Sequence, residues 1–185
     1  NASRRSTLPD VDVYLSLTTS ATATGGSLYG GPVGRYVDAD NMYFTRVEFT
    51  TGNAVLVDLR MRVATVESSL GTYTTSITHV PGTFVRCRLQ VAGSSIRTKV
   101  WLASLPEPAD WHVDAVDSSV TTSNFVGARS ISAAGNTNVS PQVRYDDLEV
   151  INLQRFTVAR SINGIVKPQS AGTSVRLAQA AYAAL

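Results

Sequence analysis

Three pairs of acidic residues separated by one position are the first candidates for acid–base chemistry in this sequence. The pairs are Asp10/Asp12, Asp38/Asp40 and Asp147/Glu149. Alternate residues of a β-strand share one face, so such a pair could place two carboxyl groups side by side. Hydrolysis of a glycosidic bond needs two carboxyl groups about 5 to 9.5 Å apart. None of the pairs belongs to a Glu-x-Asp-x-x-Glu arrangement, so we favour structural roles for all of them and predict that the chain is not an enzyme.

The turn Asp38-Ala39-Asp40-Asn41 is the one candidate metal site. Clustered carboxylate oxygens suit a hard cation, and Ca²⁺ bound by Asp38 and Asp40 is therefore one interpretation. The twelve-residue calcium loop is absent, however, and Asp and Asn are common turn formers. The alternative interpretation is a structural turn, and the sequence predicts no other cofactor.

The remaining reactive side chains lack the partners that catalysis or zinc binding requires. His79 and His112 have no cysteine or aspartate cluster at zinc spacing. The sequence has no Gly-x-Ser-x-Gly nucleophile motif and no phosphate-binding glycine loop. Cys87 is the single cysteine and alternates with arginines, so we expect a small buried hydrophobic side chain.

The composition is typical of a β-rich protein with few charges. Of the 185 residues, 43% are hydrophobic and 16% are charged, with a net charge of +2. This charge indicates neither nucleic acid nor a membrane surface as a partner. No stretch approaches the roughly 18 apolar residues of a membrane span, so no membrane insertion is expected.

Alternation of apolar and polar residues dominates the chain, and helical periodicity is nearly absent. Residues 20–34 are rich in Gly, Ser and Thr and are expected to form a loop containing at most a short strand at 27–29. The strands predicted elsewhere are 12–17, 35–37, 42–50, 54–66, 84–91, 96–103, 112–118, 124–131 and 143–151. Many short antiparallel strands joined by Gly, Pro and Asn turns predict an all-β sandwich or jelly roll.

The hairpin formed by 84–91 and 96–103 is expected to present a basic face. If Cys87 points inward, then Arg86 and Arg88 point outward. The turn between the strands then places Arg88 opposite Lys99 and Arg86 opposite Trp101. Two like charges in register are unfavourable, so a compensating charge is expected nearby.

The hairpin formed by 42–50 and 54–66 carries a second outward set: Arg46, Glu48, Asp58, Arg60 and Arg62. If both hairpins lie in one sheet, their outer face combines guanidinium groups with an indole ring, as a glycan-binding surface does. The predicted ligand-binding residues are Arg46, Arg60, Arg86, Arg88, Arg97, Lys99 and Trp101. The alternative is a solvated face that is partly neutralised by Glu48 and Asp58.

Several motifs resemble those of concanavalin-A/laminin-G-like domains, especially the versions in actinobacterial surface proteins and in tail proteins of actinobacteriophages. The motifs are Gly82-Thr83-Phe84-Val85-Arg86-Cys87-Arg88, Lys99-Val100-Trp101, Glu107-Pro108-Ala109-Asp110-Trp111, Asp117-Ser118 and Tyr145-Asp146-Asp147-Leu148-Glu149-Val150. The resemblance covers roughly residues 10–152 and implies the fold. No residue matches a known sugar-binding motif.

The segment after this domain is also patterned, and it resembles an extension of actinophage minor tail proteins. Its motif is Phe156-Thr157-Val158-Ala159-Arg160-Ser161-Ile162-Asn163-Gly164, followed by Lys167 and Ala171-Gly172-Thr173. We expect a linker over 1–9, the β-sandwich over 10–152 and a small β extension over 153–185, with strands at 156–161, 164–167 and 174–177. A hairpin alone is marginally stable, so the extension is expected to dock on the sandwich or on a neighbouring subunit.

The resemblance implies a non-enzymatic minor tail or fibre protein, located extracellularly in the virion tail. Its expected partners are other tail proteins and the polysaccharide of the host cell surface, and a homo-oligomer is expected, with a trimer favoured. Two alternatives remain: a purely structural decoration or docking protein of the tail, and a carbohydrate-binding module of an actinobacterial surface protein.

Overall fold

The computed structural model describes residues 10–122 and 125–152. The chain divides into the units Asn1–Gln154 and Arg155–Leu185, and all the described residues belong to the first unit. The expected linker over 1–9 and the expected C-terminal strands at 156–161, 164–167 and 174–177 lie outside the described residues.

Within the described residues, ten antiparallel strands form two five-stranded sheets. The strands are β1 (Val11–Thr19), β2 (Leu28–Asp38), β3 (Asn41–Phe49), β4 (Ala54–Val63), β5 (Val66–Thr78), β6 (Val85–Ala92), β7 (Ser95–Leu102), β8 (Val113–Val116), β9 (Phe125–Ser132) and β10 (Val143–Asn152). The first sheet has the order β10-β1-β6-β7-β8 and the second has the order β5-β4-β3-β2-β9. The predicted all-β sandwich is confirmed. No helix among the described residues is long and apolar enough to cross a membrane.

The inner faces of the two sheets enclose the core. Leu17 and Cys87 of the first sheet share one apolar cluster with Val47 and Val57 of the second sheet. These four side chains are fully buried. Burial raises the pKa of the Cys87 thiol to about 12, so the thiol stays protonated and serves as a packing group, as predicted. The alternation pattern therefore identified the inward residues of both hairpins correctly.

Two strands of the second sheet differ from the prediction. β2 is continuous over eleven residues, whereas the sequence predicted mainly a loop there. Its glycines allow close backbone contact: a Cβ at Gly31 would lie 1.9 Å from the carbonyl oxygen of Thr45. β5 extends over thirteen residues and was not predicted, because an edge strand rich in Ser and Thr shows little alternation.

Candidate functional site

The two predicted hairpins lie in different sheets, and this corrects the expectation of one shared basic face. β6 and β7 belong to the first sheet, while β3 and β4 belong to the second. The outer surfaces of the two sheets point in opposite directions, away from the common core. The seven predicted ligand-binding residues therefore divide into two groups. Arg86, Arg88, Arg97, Lys99 and Trp101 lie in the first sheet, and Arg46 and Arg60 lie in the second.

Two central cations of the first sheet are neutralised by neighbouring carboxylates. Arg88 lies opposite Lys99, as predicted. Glu107, in the loop after β7, accepts hydrogen bonds from Arg88 Nη1 at 2.6 Å and pairs with Lys99 Nζ at 2.7 Å. Asp12 binds the other side of the Arg88 guanidinium group at 2.6 and 2.8 Å. The expected compensating charge is present, and β1 and the loop supply it.

The loop 103–112 also covers this face with an indole ring. The ring of Trp111 lies 4.7–4.8 Å from the cationic groups of Arg88, Arg97 and Lys99. Trp101 is only 7% exposed, so its indole, contrary to the expectation, is not open on this face, and its contact with a ligand stays a prediction. The folded-back loop explains this result: it replaces solvent over the central cations, leaving Lys99 3% exposed.

Arg86 completes the set of paired cations on the first sheet. It contacts Asp147 at 3.6 Å and Glu149 at 3.3 Å, both on β10. Its guanidinium group also lies 5.5 Å from the ring of Tyr14. The acidic pair 147/149 therefore has a structural role, as the sequence analysis favoured.

The outer face of the second sheet has a different character, because it carries an apolar cluster of its own. Val33, Met42 and Phe44 are buried there, with Tyr36 packed against them. Met42 and Phe44 are only 4% and 3% exposed. Because these side chains are almost fully covered, they form an apolar floor beneath neighbouring groups such as the Arg129 guanidinium, which lies 4.7 Å from the Phe44 ring.

Asp58 organises the arginines at one end of this face. Its Oδ2 accepts hydrogen bonds from Arg46 at 2.7 Å and from Arg60 at 2.6 Å, and its Oδ1 accepts one from Ser69 at 2.6 Å. The guanidinium group of Arg46 also lies 4.8 Å from the ring of Tyr29. Arg46 and Arg60, two of the predicted ligand-binding residues, are thus held side by side.

Glu67 joins the two edges of the same sheet. It lies on β5, at one edge, and its Oε1 accepts hydrogen bonds from Arg129 on β9 at 2.7 Å and from Arg62 at 3.2 Å. In a flat sheet the two edge strands would be about 19 Å apart, too far for the two side chains to meet. The outer face of the second sheet is therefore concave, and we call it the concave face.

The ionisation of Glu67 follows from these contacts. Burial raises the pKa of its carboxyl group, but the hydrogen bonds and charges of Arg129, Arg62 and Arg60 more than offset burial, and the net pKa is lowered. Glu67 is therefore a carboxylate at neutral pH.

Two adjoining pockets open on the concave face. The first has a volume of about 370 Å³ and includes Tyr29, Arg46 and Ser132 in its lining. The second has a volume of about 630 Å³ and is mainly apolar, with Tyr36 and Phe125 among its lining residues. Arg62 and Arg129 line both pockets, so the ion pairs with Glu67 form the boundary between them.

The predicted site residues did not include several residues of this face: Arg62, Glu67, Arg129 and the aromatic residues. Part of the signal was present in the sequence, because Met42 and Phe44 are apolar at positions where alternation with Tyr43 and Thr45 places them outward. Arg129 could not be assigned, because the position of β9 beside β2 depends on long-range pairing.

The predicted calcium turn is explained by contacts within the protein. The Asp38 carboxylate accepts hydrogen bonds from the Asp40 amide and from Asn41 Nδ2, both at 2.8 Å, and the side-chain bond from Asn41 contributes most to lowering the pKa of Asp38. Asp40 pairs with Arg62 at 3.2 Å. Within 10–122 and 125–152, no group of three or more His, Cys, Asp or Glu side chains could hold a metal ion. Ca²⁺ binding here stays a prediction that titration calorimetry with calcium chloride would test.

Comparisons with solved structures place the fold among jelly-roll domains of the lectin and carbohydrate-binding-module type. The carbohydrate-binding module CBM66 from Bacillus subtilis is 15% identical, with a TM-score of 0.54 over 80% of this chain and 77% of that chain. The exoplasmic/lumenal domain of VIP36, solved with Ca²⁺ and mannose, is 9% identical, with a TM-score of 0.57 over 84% of this chain and 73% of that chain. The GH43 protein BlXynB from Bacillus licheniformis is 14% identical, with a TM-score of 0.52 over 78% of this chain but only 28% of that chain.

At these identities the likeness establishes the fold alone. No protein-family model matches the sequence, and no curated protein matches it.

Proposed function

We propose that this chain is a non-enzymatic, lectin-like module whose concave face binds a glycan. The observation that carries the proposal is the pair of adjoining pockets on that face, where guanidinium groups lie beside aromatic rings, of which that of Phe125 is exposed. The likeness to CBM66 and to the VIP36 domain supports it at the level of fold.

The chemistry of the concave face suits a sugar chain. Arginine donates several hydrogen bonds in a planar arrangement, and aromatic rings pack against the C–H faces of sugars. Phe125 is 49% exposed and lies edge-on to Tyr36 at 6.3 Å, which leaves ring surface open in the second pocket. Arg46 and Ser132 place polar groups in the first pocket. An extended glycan could contact both pockets across their shared boundary.

The contacts of Glu67 and Asp58 favour binding rather than hydrolysis. Glycosidases of the common type need one carboxyl group that is protonated at working pH. Glu67 has a lowered pKa, and the Asp58 oxygens already accept three hydrogen bonds. Both side chains stabilise the arrangement of the arginines, and neither is suited to be the general acid.

The biological setting that we propose is the tail of an actinobacteriophage, where the module attaches the virion to polysaccharide of the host cell envelope. The support for this setting is the resemblance of the sequence motifs, together with the patterned segment 153–185. In the same setting we propose contacts with other tail proteins and a homo-oligomer, with a trimer favoured. An actinobacterial surface module would use the same concave face.

Binding of envelope polysaccharide by the purified chain tests the proposal, with glycan arrays and affinity electrophoresis as readouts. The variant Arg46→Ala should weaken binding about tenfold or more, because arginine contacts to a ligand are worth about 1.5–3 kcal/mol. Arg86→Ala is the matched control, since it removes a guanidinium group from the opposite face, and it should leave binding unchanged. Absence of binding to every polysaccharide from susceptible cells would refute the proposal and favour a purely structural tail protein.

A further inference from the structure

We propose that the ligand is an acidic glycan, and that one of its carboxylates replaces Glu67 between Arg62 and Arg129. This inference rests on the proposed function, and it specifies the chemical class of the glycan. In the unliganded protein, the Glu67 carboxylate fills the anion site that the ligand carboxylate would occupy.

The position of Glu67 at the boundary between the pockets supports the exchange. Its Oε1 is held by Arg129 at 2.7 Å and by Arg62 at 3.2 Å, so a single carboxylate oxygen contacts both guanidinium groups. A uronic acid presents the same planar group and can make the same charge-assisted hydrogen bonds. Because both arginines line both pockets, a ligand carboxylate at this position would be flanked by binding surface on two sides.

The side chains are accessible enough for the exchange. The side chains of Glu67, Arg62 and Arg129 are 24%, 25% and 28% exposed. Glu67 belongs to β5, which is an edge strand of the described sheet, and its neighbour Val66 is 65% exposed. Rotation of the Glu67 side chain away from the arginines therefore displaces no core residue.

The charge pairing on the concave face fits the exchange of one carboxylate for another. Four arginines converge there, and the carboxylates paired with them are those of Asp58, Glu67 and Asp40. The arginines are Arg46, Arg60, Arg62 and Arg129. Glu48, on the same face, instead accepts a hydrogen bond from Ser27 at 2.7 Å. With Glu48 included, four arginines share the face with four carboxylates, so a ligand carboxylate would take over the pairing of Glu67 rather than neutralise an excess charge.

Unused hydrogen-bond donors point to the same chemistry. The Nε–H groups of Arg46, Arg60 and Arg62 are shielded from solvent and have no hydrogen-bond acceptor among the described residues. Guanidinium groups favour acceptors that are planar and charged. A rearrangement in which a ligand carboxylate enters and Glu67 moves supplies additional acceptors at the cluster.

Polygalacturonate and its fully methyl-esterified form are suitable probes, because they share one sugar backbone and differ in charge. Titration calorimetry with oligomers of each would measure affinity for the full chain. We expect the acidic oligomer to bind at least tenfold more tightly than the ester. Heparin oligosaccharides are a third probe, because sulfate is their main acid group. Tighter binding of heparin than of polygalacturonate would contradict a site that is specific for carboxylate.

The variant Glu67→Gln tests the replacement directly. It removes the competing charge while keeping the size of the side chain, so affinity for polygalacturonate should rise roughly three- to tenfold. Glu48→Gln is the matched control: it neutralises a carboxylate on the same face that pairs with none of the described arginines, and its effect should be below about twofold. Arg129→Gln should lower affinity for the acidic oligomer and leave binding of the ester within about twofold. Thermal unfolding of each variant verifies that it is folded.

The outcomes separate this inference from the proposed function. Equal affinity for the acid and the ester, or an unchanged or lower affinity of Glu67→Gln for the acid, overturns the inference while glycan binding stands. Binding to no polysaccharide in any arm overturns both.

Discussion

Glu67 Oε1 lies 2.7 Å from Arg129 Nη2, although the two residues come from the opposite edge strands of one sheet. The guanidinium group of Arg129 is at the same time 4.7 Å from the ring of Phe44 on the central strand. The contact therefore bridges the concave face above an apolar floor and divides it into two pockets. The first sheet contrasts with this arrangement, because the loop 103–112 fills its outer face with Glu107 and Trp111.

Neutralising Glu107 should destabilise the fold. Glu107→Gln leaves Arg88 and Lys99 facing each other with one fewer carboxylate, and Lys99 is nearly buried. We expect a loss of about 1–3 kcal/mol in the free energy of unfolding, measured by urea denaturation. Glu149→Gln, whose side chain is 57% exposed, is the control and should cost less than about 0.5 kcal/mol. Equal losses for the two variants would contradict a compensating role for Glu107.

Trp101 should matter for stability and not for ligand binding. The indole is 7% exposed, so Trp101→Ala removes a buried side chain and should cost about 3–5 kcal/mol. Trp101→Phe keeps most of the apolar volume and should remain folded with unchanged glycan affinity. A reduced affinity of the folded Phe variant would restore the sequence-based prediction that Trp101 contacts a ligand.

Substitution by alanine should affect stability very differently at two glycines of the second sheet. Gly31→Ala would place a Cβ 1.9 Å from the Thr45 carbonyl oxygen, which disrupts the pairing of β2 with β3. We expect a loss of about 3 kcal/mol or more, because backbone must move to relieve the overlap. Gly127→Ala on the neighbouring β9 meets no atom within 4 Å and should change stability by less than about 1 kcal/mol. Differential scanning calorimetry would measure the stability of the two variants. Unchanged stability of Gly31→Ala would show that β2 is not placed as described.

Stability should fall as the pH drops from about 7 to 5. Burial lowers the pKa values of His79 and His112, and Lys99 lowers that of His112 further. The unfolded chain takes up protons below about 6.5, whereas the folded chain takes them up only at lower pH, so protonation favours unfolding in this window. His79→Gln and His112→Gln should each reduce the slope of the unfolding free energy against pH. Slopes identical to that of the natural chain would contradict this assignment, since carboxylates titrate mainly below this window.

The sequence predicted the inner faces of the sandwich well, because burial on one side of a strand produces a period of two. The opposition of Arg88 and Lys99 followed from the same alternation and the length of one turn. The assignment of the two hairpins to one sheet failed, because sheet membership depends on pairing between strands far apart in the chain.

The candidate site was predicted only in part for the same reason. Arg46 and Arg60 were recognised as outward residues of a local hairpin. Glu67 lies on a strand with weak alternation, and its contact with Arg129 depends on the curvature of a whole sheet. The burial of Trp101 depended on how the loop 103–112 folds back, which no local pattern specifies.

The most direct test of glycan binding at the concave face is a titration of the isotopically labelled chain with a binding oligosaccharide, followed by amide NMR shifts. We predict that the shifts cluster at the backbone around Tyr29, Arg62 and Arg129, and that Arg88 and Trp111 on the opposite face remain unperturbed. Shifts centred on Arg88 and Trp111 instead would contradict the account.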